Sequence, residues 1–121
     1  MQIRKSAEDY LEMILMIRER KGCVRSIDVA QALNVSKPSV SVAMKKLRES
    51  GYITFDKGNY ILLSVAGEQV ARHMYERHKV LSAMLIRLGV SEEVAKEDAC
   101  KIEHDISDET FDAICRHIQN N

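Results

Sequence analysis

The sequence predicts a mainly α chain with a single β-hairpin, organised as an N-terminal domain over residues 1–70 and an all-helical domain over residues 71–121. Three observations carry this. Apolar residues recur at helical spacing in six segments, and each segment is opened by a serine able to cap a helix. The exception is "YITFDKGNYILL", where two short β-prone runs flank a turn containing Gly and Asn. Finally, 121 residues with one proline, no repeat and no low-complexity linker suit one compact chain or two small units.

Ser6 is the expected cap of a first helix, "AEDYLEMILMIRERKG". Its acidic residues fall early and its basic residues late, as the helix dipole prefers, and Gly22 closes it. A short second helix is expected from Ser26, with Ile27, Val29, Ala30 and Leu33 along it. After the turn "LNV", Ser36 caps a third helix that carries Pro38 in its first turn, where a missing N–H costs nothing. In "SKPSVSVAMKKLRESG", Val40, Met44 and Leu47 form one narrow apolar stripe, with Ser39, Val42, Lys45 and Lys46 off it. Gly51 ends that helix and the hairpin follows. Helix, turn, helix, hairpin is the order of a winged helix-turn-helix.

A fourth helix is expected from Ser64 to about Leu88, with Val80, Leu81, Met84, Leu85 and Leu88 giving its end an apolar face before Gly89. Ser91 opens a fifth helix over "SEEVAKEDACKIEHD", and Ser107 a sixth over "SDETFDAICRHI". These helices hold more apolar surface than a winged helix needs, so a homodimer interface is expected there.

Composition is that of an ordinary soluble globular protein, 45% hydrophobic and 30% charged. The longest apolar run, Met13 to Ile17, is too short to span a bilayer, so no membrane association is expected. Arg4, Lys5, Glu8 and Asp9 interrupt any signal-peptide core. Three widely spaced cysteines, Cys23, Cys100 and Cys115, fit a reducing cytoplasm better than a disulfide framework. The net charge of zero hides an asymmetry: residues 1–63 hold 11 Lys/Arg against 7 Asp/Glu, and residues 64–121 the reverse. A basic first half is the half expected to meet a polyanion.

The third helix points to double-stranded DNA. Its N-terminal residues Ser36, Lys37, Pro38, Ser39, Ser41 and Val42 would face base edges in the major groove. Lys45, Lys46 and Arg48 would reach phosphates, and Lys57 lies in the hairpin turn. A winged helix used for protein contacts, or a merely solvated basic face, is the plainer alternative.

A second constellation concerns metal chemistry. In "DACKIEHDIS" a helix would project Cys100, Glu103 and His104 from one face, three and four residues apart. Asp9 and Glu12 stand one turn apart near the start of the first helix, and His78 lies in "ERHKVL" on the fourth. Each has a duller reading: the acidic pair as dipole compensation, His78 as a surface residue, Cys100 as a small buried hydrophobe.

Taken together, "SAEDYLEMIL", "SKPSVSVAMKKLRESGYI", "ERHKVL" and "DACKIEHDISDET", in this order and spacing, resemble the diphtheria toxin repressor and manganese transport regulator family of metal-dependent transcriptional regulators. The resemblance covers nearly the whole chain. It implies that residues 71–121 form a metal-binding and dimerisation domain and that Asp9, Glu12, His78, Cys100, Glu103 and His104 are metal ligands. It implies a repressor with Mn2+ as the favoured corepressor and Fe2+ behind it, binding one or two ions and controlling metal-uptake genes through a palindromic operator. Asp9 and Glu12 resemble the manganese branch. Cys100 resembles the iron-responsive branch, where manganese regulators usually have glutamate. Ser82 and Lys96 stand where the iron branch has ligands of a separate site, so a site of that second type is not expected. Relative to the family, the sequence stops at Asn121, before the SH3-like domain of the iron branch and most of the extra C-terminal helix of the manganese regulators.

Two rival classes are weighed against this. A metalloenzyme would need an open coordination position and a substrate cleft, and no nucleophile–base pair or Gly-rich phosphate loop is visible. A metal-independent winged-helix regulator responding to an organic ligand is the stronger rival, and its DNA affinity would ignore chelators.

Overall fold

The computed structural model describes residues 5–120. In chain order they form α1 (Lys5–Lys21), α2 (Ser26–Leu33), α3 (Lys37–Glu49), β1 (Ile53–Phe55), β2 (Ile61–Leu63), α4 (Val65–Arg87), α5 (Glu92–Ile102) and α6 (Asp108–Gln119). The fold is mainly α with one antiparallel hairpin, the class read from the sequence. Two compact units divide within α4, between His73 and Met74.

The first unit is built on α1, α2 and α3, which pack on one another, with β1 against α3. Its buried apolar residues include Leu11, Ile14, Leu15 and Ile17 of α1, Val29 and Ala30 of α2, and Val40, Met44 and Leu47 of α3. The α3 stripe is the one the sequence predicts. Ser36 caps α3, its Oγ accepting from the Ser39 N–H at 3.2 Å, and Pro38 sits in the first turn. Gly51 continues the chain at φ +83°, a conformation glycine takes without strain. The hairpin pairs Ile53 with Leu63 and Phe55 with Ile61. In its turn, Asp56 Oδ1 accepts from the Gly58 and Tyr60 N–H groups at 2.9 and 3.0 Å, a side chain standing in for turn hydrogen bonds. The Val24 carbonyl accepts from the Ile61 N–H at 2.7 Å, tying the segment before α2 to the outer edge of β2.

Ser64 joins hairpin to helix. Its Oγ accepts from the Gly67 N–H at 3.1 Å while its hydroxyl donates to the Gly51 carbonyl at 2.6 Å. A Cβ at Gly67 would overlap the Tyr52 carbonyl oxygen, so only glycine lets the first turn of α4 sit this close to the hairpin. Arg18 of α1 makes a two-pronged ion pair with Glu68 of α4, at 2.8 and 2.7 Å.

Three expectations about helix ends are corrected. Ser6 already lies inside α1 rather than capping it. Arg25, not Ser26, is the residue before α2, and the Asp28 carboxylate accepts its N–H at 2.9 Å, so the acid inside the helix supplies the end contact. The fifth helix does not run through His104: α5 stops at Ile102, and Glu103 is its C-terminal cap.

In the second unit, Ser91 and Ser107 cap α5 and α6 as expected, through the Val94 and Thr110 N–H groups. Met74, Leu81, Ala95 and Ala99 are buried, but so are the polar Arg77, Ser82 and Glu103. The apolar end of α4 remains partly open: Leu88 is 74% exposed and Ile86 43%. No residue of α6 is fully buried.

Candidate metal centre and DNA-reading surface

The densest cluster of metal-type donors in the second unit is His78, Cys100 and Glu103, whose ligand atoms all lie within 4.8 Å of one another. His78 projects from α4, Cys100 from the last turns of α5, and Glu103 from the residue just past its end. His78 Nδ1 is 3.1 Å from Glu103 Oε2 and 3.7 Å from Cys100 Sγ, so both neighbours converge on one ring nitrogen. These contacts raise the His78 pKa from its ordinary 6.5 to about 10, the Cys100 sulfur contributing most and the Glu103 carboxylate next, against the opposing effect of burial. The Cys100 thiol is exposed, so the duller reading of it as a small buried hydrophobe does not describe it.

Glu103 is completely buried, and its two oxygens face different imidazoles: Oε2 the His78 ring, and Oε1 His104 Nε2 at 3.5 Å. Oε1 receives no hydrogen bond from the described residues. A buried carboxylate oxygen without a donor costs free energy that a cation would recover. The donor set of thiol, imidazole and carboxylate fits a divalent transition metal. Asp9 and Glu12 belong to the first unit, one turn apart on α1; Glu12 is buried, at 5% exposure, and Asp9 half-buried.

Sequence reasoning missed Arg77. It is 3% exposed, and its Nη1 donates to the Glu103 carbonyl at 3.0 Å and to the Ile106 carbonyl at 2.7 Å. Its Nη2 donates to Asp108 Oδ1, and the guanidinium lies 5.1 Å from the Phe111 ring centroid. An arginine on an amphipathic helix is ordinarily a surface residue, and the only sequence trace of this one is its place directly before His78.

The residues expected at DNA sit together on the first unit. Ser36, Lys37, Pro38, Ser39, Ser41, Val42, Lys45 and Lys46 are all exposed along α3, and Lys57 is exposed in the hairpin turn. Val42, 55% exposed, is an apolar group offered to solvent on this face. Buried Val40, Met44 and Leu47 anchor the opposite side of the helix, so the polar and cationic face is held outward by packing. Small hydroxyls towards the helix start and lysines further along suit close approach to base edges, with phosphates to the side.

Comparison with known proteins agrees with both halves. Residues 2–59 match the family described as "Iron dependent repressor, N-terminal DNA binding domain", and residues 64–121 match "Iron dependent repressor, metal binding and dimerisation domain". The transcriptional regulator MntR of Escherichia coli is 37% identical over 110 residues, covering 91% of this chain and 71% of the relative. An uncharacterized HTH-type transcriptional regulator of Methanocaldococcus jannaschii is 35% identical over 112 residues, covering 91% and 90%. Among solved structures, the manganese regulator SloR superposes with a TM-score of 0.83 at 28% identity, covering 100% of this chain and 56% of that one. The chain therefore spans a little over half the length of that structure.

Proposed function

The chain belongs to the iron-dependent repressor family, whose members are transcriptional regulators and not enzymes, and from that premise we propose that it is a cytoplasmic repressor whose DNA binding depends on Mn2+, with Fe2+ as the nearest alternative corepressor. The observation that carries the reading is the His78–Cys100–Glu103 donor cluster in the half of the chain matched to metal binding and dimerisation. Asp9, Glu12, His78, Cys100, Glu103 and His104 are the proposed ligands. That the two Glu103 oxygens face different imidazoles supports room for a second ion among these ligands. A bound divalent cation supplies positive charge that neutralises carboxylates otherwise repelling one another.

The chain's own residues do the rest. His78 must give up its Nδ1 proton to act as a ligand there, and Cys100 must become a thiolate. Asp9 and Glu12 lie in the DNA-reading half, so their ligation couples metal occupancy to the ordering of α3. Ser36 to Val42 then meet base edges, while Lys45, Lys46 and Lys57 hold phosphates. The open apolar residues at the end of α4 support a homodimer, and a dimer of winged helices reads a palindromic operator with half-sites about 34–36 Å apart. The division into a DNA-binding domain at 1–70 and a metal-binding, dimerising domain at 71–121 belongs to the same proposal, as does control of metal-uptake genes. The test is removal of ligands one at a time: His78→Ala should abolish metal-dependent DNA binding. Unchanged metal stoichiometry and unchanged DNA affinity in that variant would reject the site. A regulator sensing an organic ligand has no comparable support, because the His78–Cys100–Glu103 donor cluster would then have no role.

A further inference from the structure

Glu103 caps α5, its N–H still donating to the Ala99 carbonyl at 3.0 Å, and the helical ladder ends there, so His104 and the turn that follows lie outside it. Besides the Asp105 N–H donating to the Ile102 carbonyl at 3.0 Å, one side chain on α4 ties this turn down. Arg77, immediately before His78 on α4, receives no support from water at 3% exposure and spends its guanidinium on three acceptors: the carbonyls of Glu103 and Ile106 and the carboxylate of Asp108 in the first turn of α6. A planar fork fixes all three at once, which a single ammonium point cannot do. Phe111 under the guanidinium limits its movement further.

We propose that Arg77 is a positioning residue for the metal centre: it clamps the backbone from Glu103 to Asp108 so that the Glu103 carboxylate and the His104 ring are held in place where α5 ends and the turn begins. The inference rests on the reading that the chain binds a divalent cation. It predicts an effect on metal choice, not only on stability. His78 and Cys100 lie within α4 and α5, whereas Glu103, at the last helical hydrogen bond, and His104, in the turn beyond it, are the donors nearest the clamp. Loosening it should weaken a hard ion that relies on carboxylate and imidazole while largely sparing an ion that thiolate and imidazole can retain.

Arg77→Lys keeps the charge and loses the fork. Mn2+ and Zn2+ affinities of the full chain should be measured by titration calorimetry, with helix content followed by circular dichroism. The expected result is native helix content, a fall in Mn2+ affinity of about 10–100-fold, as for other residues that orient metal ligands, and a much smaller fall for Zn2+. Equal loss for both ions, loss confined to Zn2+, or no loss for either overturns the proposal. If the lysine variant loses helix content, Asp108→Ala carries the test, since it removes one arm of the clamp at an exposed position and should weaken Mn2+ more than Zn2+. A wild-type chain that binds neither ion overturns the metal reading, and this inference with it.

Discussion

His78 is where proton and metal compete most directly. Its pKa is raised above the ordinary imidazole value by Cys100 and then Glu103, so the proton it holds stabilises the metal-free protein. That contribution is fully present below about pH 6.5 and is lost as pH rises towards about 10. A cation at Nδ1 must displace this proton, so metal affinity should rise from pH 6 to pH 8 with release of at least one proton per ion. Calorimetry in buffers of different ionisation enthalpy reads the number released; a value of zero would place the metal elsewhere. Under the proposed ligand set, Cys100 is the residue that bears most on metal choice. Because it is exposed, it is free to ligate or to be bypassed by water. Cys100→Glu should keep Mn2+ activation, while Cys100→Ser should chiefly lower Co2+ and Zn2+ affinity. A thiolate-to-cobalt absorption band in the near ultraviolet tests ligation, and its absence from the wild type would remove Cys100 from the Co2+ site.

Individual elements show which parts of the chain were legible before folding. The α3 stripe of Val40, Met44 and Leu47, the Ser36 cap and the hairpin turn were readable because each is set by local spacing and side-chain chemistry. The end of α5 was not: "CKIEHD" keeps helical composition through His104, whereas the chain leaves the helix after Glu103 for a turn whose Glu103 and Ile106 carbonyls accept from Arg77, up to 29 residues away in sequence. The donor residue types were visible, but the pairing of one Glu103 oxygen with each imidazole is a tertiary fact. Two predictions belong here. Gly67→Ala should cost about 3 kcal/mol in a denaturant melt, because its Cβ would overlap backbone rather than a side chain that can move. Glu68 has a lowered pKa, mainly through its hydrogen bond from Arg18, so its stabilisation is present above the ordinary carboxylate value of 4.5 and is lost as pH falls through the lower folded value. Glu68→Gln should therefore cost about 1 kcal/mol at pH 7 and progressively less as pH falls below 4.5. A loss that does not change with pH would assign the effect to packing.

Across the whole chain, the charge asymmetry and the two matched family domains describe a division of labour: a basic half matched to DNA binding and an acidic half that carries the His78–Cys100–Glu103 donor cluster. Lys45→Ala and Lys46→Ala should weaken DNA binding and each lower the slope of log affinity against log salt by about one, with metal binding untouched. The same variants losing metal would mean the two functions are not separable in this way. Coupling between them is the central claim, and one experiment reaches it. A palindromic duplex enriched from a random library by the Mn2+-loaded protein is titrated anaerobically with the full wild-type chain in EDTA, in Mn2+ and in Fe2+. The account predicts at least about tenfold tighter binding with Mn2+ than with EDTA, equivalent to about 1.4 kcal/mol, with the protein bound as a dimer. Equal affinity in chelator and in metal would contradict it.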